Sequence, residues 1–145
     1  MINCEKIIDS INVGILTVDS DLNIYYINKW FAVHMNLEAE EIIGKNLLCV
    51  FELTQGSLKS LKRHMKAALT LNSPSFFTAD SNHYLFTVKH SMTTKSIFEF
   101  MQQDVTIMPY DLEKKQVTIL IYDQTSLMEE KARCNKESEE LAKAV

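Results

Sequence analysis

No apolar stretch in this chain approaches the ~20 residues that a membrane-spanning helix requires. The opening segment, MINCEKIIDS, also lacks the basic-then-apolar order of a signal peptide. Both absences predict a segment without membrane contact that resides in the cytoplasm. Cysteine is scarce as well: Cys4, Cys49 and Cys134 are odd in number and far apart, and no CxxC pair occurs. Neither a zinc knuckle nor a redox dithiol is signalled, so the three read as free thiols and no metal site is expected. There is no basic excess, because 15 Lys and Arg against 19 Asp and Glu leave a formal charge of −4. The clustered positive footprint of a nucleic-acid binder is therefore missing.

Signatures of catalysis are missing too. The chain contains no nucleophile elbow, P-loop or dinucleotide fingerprint. Its four histidines are scattered, and its acids fall mostly on helix faces and turns. An enzyme needs a nucleophile with a base, paired carboxylates in a cleft, or metal ligands, and none is legible. What is present is a hydrophobic content of 46% over 145 residues, enough for one folded domain with a real core.

That core is announced at Ile11–Asn28. Two apolar runs, Gly14–Val18 and Ile24–Ile27, are rich in β-branched residues or Tyr and flank the polar corner Asp19-Ser20-Asp21-Leu22-Asn23. This predicts two paired strands and a turn whose side chains bond their own backbone. Asn28 ends the second strand and is suited to cap a following helix through the N–H of Trp30 or Phe31. A short amphipathic helix precedes the strands, with Ile7, Ile8 and Ile11 at helical spacing. Helices are also predicted at 29–36, with Trp30, Val33, His34 and Leu37 on one side, and at 38–43. Gly44 then supplies the left-handed residue at a helix end. A longer helix capped by Ser57 runs to about Leu71, with Leu58, Leu61, Met65 and Ala68 on one stripe and Lys59, Lys62, Arg63 and Lys66 opposite.

The second half reads as strands. HYLFTVK (83–89) alternates Tyr84, Phe86 and Val88 against Leu85, Thr87 and Lys89. FMQQDVTIMPY (100–110) puts Met101, Gln103, Val105 and Ile107 on one face. VTILIYD (117–123) groups Val117, Ile119 and Ile121 beyond an LEKK turn. Ser126-Leu127-Met128-Glu129 reads as a capping box, opening a charged helix with a thin heptad-like stripe of Leu127, Cys134, Leu141 and Val145. That helix has no stop signal, as expected of an exit helix toward a further domain. The fold class is thus α+β: an antiparallel sheet of about five strands with helices on one face.

Taken in order, these stretches resemble the PAS domain, or sensory box. The hairpin at 11–28 matches the family's opening pattern. NLEAEEIIGKNLLCVFE (36–52) has the spacing of its short helix, glycine and Leu-Phe segment, and DVTIMPYDLEKKQVTILIYDQTSL (104–127) resembles its closing hairpin with the terminal Asp-x-Thr. HSMTTKSI (90–97) departs from the family, which often has a tight Asp-Gly turn there. The resemblance implies a sensory and dimerisation domain at 1–125, followed by the start of a coiled-coil linker helix at 126–145. It also implies a homodimer, a possible small-molecule ligand, and an output domain such as a GGDEF diguanylate cyclase or a histidine kinase.

The expected ligand pocket is lined by Leu61, His64, Met65, Phe86, Val105, Ile107, Ile119 and Ile121, although a filled core asks for the same residues. Transmission to the exit helix falls to Asp123, Gln124 and Thr125, a segment that equally suits a plain strand-to-helix cap. Among cofactors, the family's light-driven flavin–cysteinyl switch is not expected. Leu47 stands where the reactive cysteine belongs, Cys49 is two residues late, and Ile121 replaces the flavin-contacting Gln. The residues leave a non-covalent flavin open. Haem-binding members ligate iron through a histidine on the long helix, and His64 is on the matching element. A solvated basic face with Lys62, Arg63 and Lys66 accounts for it more simply. Three functional readings stand: a ligand-responsive sensor, a ligand-free interaction module, and an unrelated small α+β enzyme or carrier.

Overall fold

Asp19 builds the first turn almost alone. Its Oδ1 accepts the backbone N–H groups of Asp21 and Asn23 at 3.0 and 2.9 Å, and its Oδ2 accepts the Asn23 amide and the Tyr25 hydroxyl at 3.1 and 3.0 Å. Burial pushes this carboxyl up, but the bonds from Asn23, Tyr25 and Asp21 more than reverse that, and it lies below the usual carboxylate value. The turn places Leu22 at φ 70°, a left-handed conformation costly for leucine, yet its side chain is anchored in the core. The self-bonding corner read from the sequence is therefore present.

The computed structural model describes residues 4–78, 85–86, 88 and 100–144. Helix α1 (Cys4–Ser10) leads into β1 (Gly14–Asp19) and β2 (Ile24–Ile27). Three short helices follow: α2 (Lys29–His34), α3 (Ala39–Ile42) and α4 (Leu47–Val50). The long α5 (Gln55–Leu71) precedes β3 (Ser75–Phe77), β4 (Gln103–Asp111) and β5 (Gln116–Asp123), and α6 (Thr125–Ala144) closes the order. The strands form one antiparallel sheet in the order β2-β1-β5-β4-β3. This is the expected five-stranded α+β architecture.

Alternation along the strands decides which face carries the core. Leu16 and Val18 of β1, Val105 and Ile107 of β4, and Val117, Ile119 and Ile121 of β5 are buried together. On the other face Thr17 and Thr118 pair by their hydroxyls at 3.2 Å. Gly14 sits where a Cβ would lie 3.2 Å from both Ile121 and the Phe31 ring, so its lack of a side chain lets α2 approach the sheet. Phe31, Phe51 and Phe86 then form a ring cluster with centroids 5.3–5.5 Å apart, each contact worth about 0.5–1.5 kcal/mol. Gly44 takes φ 89°, the left-handed position predicted for it, and its N–H donates to Ile24 O at 2.7 Å.

Asn28 joins three elements. Its Oδ1 accepts the N–H of Ile15 at 3.0 Å and that of Phe31 at 3.3 Å, the latter being the predicted helix cap. Its Nδ2 donates to Val13 O at 2.7 Å and Ile8 O at 3.3 Å. The residue is fully buried, and its bond to the Phe31 N–H is buried with it.

Several local expectations are corrected. Helix α2 buries Phe31 and Ala32, while Val33 and His34 are exposed; the apolar side read from the sequence is displaced by about one residue. His34 stacks on Trp30 at 4.0 Å and its Nδ1 bonds Trp30 O at 2.8 Å. Ile7 and Ile11, two of the three apolar residues read on the leading amphipathic helix, are exposed. Thr54 rather than Ser57 caps α5, its hydroxyl accepting the Ser57 N–H at 3.0 Å. The fifth strand is Ser75–Phe77, and Leu85 and Phe86 lie in a bend with both side chains buried, whereas strict alternation would bury only one. The rest of the strand read at 83–89, apart from Val88, and the HSMTTKSI segment lie outside the described residues.

Replacing Asn28 tests how far the fold leans on one amide. Asn28→Ala strands the buried N–H groups of Ile15 and Phe31 and the carbonyl of Val13. A loss of roughly 2–4 kcal/mol is expected in urea denaturation. A loss below about 1 kcal/mol would mean that water or a shifted backbone replaces the side chain.

Candidate functional site

The site that the sequence pointed to is the space between α5 and the sheet. Leu61 and Met65 come from the inner face of α5, placed one turn apart by the helical repeat. Val105 and Ile107 of β4 and Ile119 and Ile121 of β5 come from facing positions, since Val105 pairs with Ile121 and Ile107 with Ile119. Phe86 closes the cluster. All seven are buried in one continuous core.

His64 is the exception. It sits on the flank of α5, half-buried, with Nδ1 2.6 Å from the Ser75 hydroxyl and its ring edge-on to Phe77 at 6.3 Å. Burial, reinforced by the neighbouring Arg63 guanidinium, pushes this imidazole below its ordinary value. Its partners belong to the edge strand β3, where Ser75 pairs with Ile107 and Phe77 with Val105. Among the described residues no group of three His, Cys, Asp or Glu side chains is placed to hold a metal ion.

Gln103 is a core residue whose role the alternation pattern hid. It is fully buried, and its Oε1 accepts the N–H groups of Leu85 and Phe86 at 3.1 and 3.0 Å while its Nε2 donates to Phe86 O at 2.9 Å. One side-chain amide thereby does for the Leu85–Phe86 bend what a strand partner would do, and sets the Phe86 ring against Phe31 and Phe51. A polar residue at an inward strand position was the available signal.

The sheet hands over to α6 through a tight exchange. Gln124 N–H donates to Gln102 O at 2.7 Å, and Gln102 N–H donates to the Thr125 hydroxyl at 2.9 Å. Asp123 Oδ1 accepts the Thr125 N–H at 3.0 Å, and the helix's own ladder begins with Met128 N–H to Gln124 O at 3.0 Å. The helix therefore starts at Thr125, so that Ser126, expected to cap it, is its second residue. Gln102 is almost fully buried, with its Oε1 unpartnered. Asp123, Gln124 and Thr125, the predicted transmission residues, thus share one hydrogen-bonded junction.

The family profile of the PAS fold matches residues 3–99. No curated protein matches the chain. Among solved structures, the chain is similar to the PAS domain of nitrogen regulation protein NR(II) from Vibrio parahaemolyticus, at 15% identity and a TM-score of 0.56, covering 85% of this chain and 99% of that one. It is similar to a sensory box sensor histidine kinase from Vibrio cholerae, at 25% identity and 0.53, covering 81% and 86%. It is also similar to the Cronobacter turicensis RpfR quorum-sensing receptor PAS domain in complex with BDSF, at 14% identity and 0.55, covering 79% and 95%.

The lowered His64 basicity has a consequence for stability. The unfolded chain takes up the proton first, near its ordinary value of about 6.5. The contribution is therefore fully present above that value and is lost as the pH falls toward the folded-state value. Thermal melts from about pH 7.5 to about pH 5.5 should show a steeper fall in Tm for the native chain than for His64→Gln, which can still bond Ser75. Parallel curves would remove His64 as the titrating group.

Proposed function

The chain belongs to the PAS fold family, and on that premise we propose a sensory and dimerisation module without catalysis of its own. Its α5–sheet core responds to a small ligand or partner, and α6 carries the response to an output domain such as a diguanylate cyclase or histidine kinase. PAS domains occur in signalling proteins, and the one from the Cronobacter receptor is in complex with BDSF. Among the described residues, no helix is long and apolar enough to cross a membrane.

The observation that carries this reading is the junction at Gln102. Its backbone N–H and C=O are both bonded to the start of α6, and the strands that meet there, β4 and β5, form the wall of the core. A shift of either strand must move or break bonds that fix the first turn of α6. Such a two-state element is what a ligand needs in order to bias an equilibrium. The filled state and the ligand-bearing state use the same lining residues, Leu61, Met65, Phe86, Val105, Ile107, Ile119 and Ile121.

A second observation favours association of two copies. Leu127 and Leu141 on α6 are 46% and 70% exposed, and Cys134 between them, at heptad spacing, is exposed as well. Paired α6 helices would cover this stripe and bring the two Cys134 thiols together.

Two measurements test these points. Amide exchange followed by NMR should show Gln102 and Gln124 exchanging about tenfold faster in Thr125→Val, which removes the hydroxyl acceptor, and faster also in Ile121→Val, which trims the core by one methyl group. If Ile121→Val leaves both amides unchanged, the core does not communicate with α6. Under mild oxidation, Cys4→Ser/Cys49→Ser protein should form a covalent dimer through Cys134, and added Leu127→Glu/Leu141→Glu should abolish it. A chain that stays monomeric and uncross-linked would overturn the paired-helix arrangement.

A further inference from the structure

Outside the core, a groove of about 560 Å³ opens between α5, the β4–β5 turn and the β1–β2 turn. Its volume lies within the range of small-molecule sites, roughly 300–1,000 Å³. Helix α5 supplies Lys62, Met65, Lys66, Leu69 and Thr70, a set that recurs at i, i+3, i+4, i+7 and i+8 and so occupies one helix face. Leu112 and Lys115 come from the β4–β5 turn, and Ser20 comes from the β1–β2 turn. Only Met65 of this set belongs to the fully buried core.

The charged side chains that line this groove are of one sign, although Asp21, Asp111 and Glu113 stand on the same turns outside the lining. Lys62 and Lys66 stand one turn apart on α5, where like charges repel, and Lys115 joins them from a segment distant in sequence. None of the three forms an ion pair with a described residue, in a chain whose acids outnumber its Lys and Arg by 19 to 15. A cleft of one sign with apolar walls concentrates its field on whatever enters. The cations are all ammonium groups; Arg63, the adjacent guanidinium, does not line the groove. Ammonium groups hold phosphate oxygens as point charges without the fixed geometry of a guanidinium fork, and three of them converging here match the several oxygens and the charge of a phosphate. The Ser20 and Thr70 hydroxyls add neutral donors, and Met65, Leu69 and Leu112 offer an apolar surface beside them.

We infer that this groove binds an organic phosphate, with the phosphate oxygens held by Lys62, Lys66 and Lys115 and the apolar body lying on Met65, Leu69 and Leu112. A soluble nucleotide and a phospholipid headgroup share this chemistry. The site lies outside the α5–sheet core and shares only Met65 with it.

The test titrates the whole chain with AMP, with inorganic pyrophosphate and with phosphatidylglycerol vesicles. AMP should shift the amide resonances of residues 62–70 and 112–115 saturably, and more tightly than pyrophosphate. Lys62→Gln/Lys66→Gln/Lys115→Gln should weaken it by about tenfold or more. Lys59→Gln/Lys136→Gln/Lys143→Gln removes equal charge elsewhere and should leave the affinity unchanged. Saturable, groove-dependent co-sedimentation with vesicles without AMP binding would support the proposal with a lipid headgroup as the source. Failure of both AMP and vesicles to bind, equal loss in the two triple variants, or pyrophosphate binding as tightly as AMP would overturn it.

Discussion

The fold depends first on the buried amide of Asn28. A side chain with two donors and an acceptor oxygen is expensive to remove from water unless each group is met. Here the oxygen takes two backbone N–H groups and the nitrogen reaches two backbone carbonyls. Because those partners lie on α1, on the connector after it, on β1 and on α2, the amide is satisfied only when all these pieces are in place together. The cost of partial assembly falls on one residue, which favours a cooperative, single arrangement of the N-terminal half.

Gln103 repeats the device in the C-terminal half. Its amide holds the Leu85–Phe86 bend, and through Phe86 it fixes the ring cluster that closes the core. The two amides thus meet at the same aromatic cluster, Asn28 by way of Phe31 and Gln103 by way of Phe86. The core between them is apolar, but its shape is set by polar groups at both ends. Gln102, one residue before Gln103, commits its backbone to α6, so the strand that organises the core also anchors the exit helix.

Much of this was legible because period-two burial survives in a sheet with one solvated face. Met101, Gln103, Val105 and Ile107 face inward as their spacing required, as do Val117, Ile119 and Ile121. The Asp19 corner, the Asn28 cap and the left-handed Gly44 were readable from side-chain chemistry alone. Helix α2 was misphased because six residues do not contain two full turns, and Trp30 competes with Phe31 for the apolar face. The cap of α5 was misplaced because Thr54 and Ser57 carry the same hydroxyl chemistry within one turn, and the start of α6 was set one residue late because Thr125 gives its hydroxyl to Gln102 of the sheet. The three-residue β3 is too short for any pattern. The candidate pocket residues other than His64 are buried as a set, and an inward apolar side chain looks alike in sequence whether it touches a neighbour or a ligand. His64, which its spacing had already set on a face with Lys62, Arg63 and Lys66, reaches the edge strand through its bond to Ser75, a contact between elements that sequence spacing does not encode.

The rims of the sheet have a consequence of their own. Among the described residues the outermost strands are β2, with four residues, and β3, with three. An incoming extended segment can therefore gain only a few backbone hydrogen bonds at either rim, too few to hold it by strand addition alone. The long strands, β4 and β5, lie inside the sheet, β5 between β1 and β4, and β4 covered on its outer side by β3 along Val105–Ile107. A chain built this way can be crowded beside many copies of itself and still resist the edge-to-edge zippering that turns exposed β-sheets into fibres.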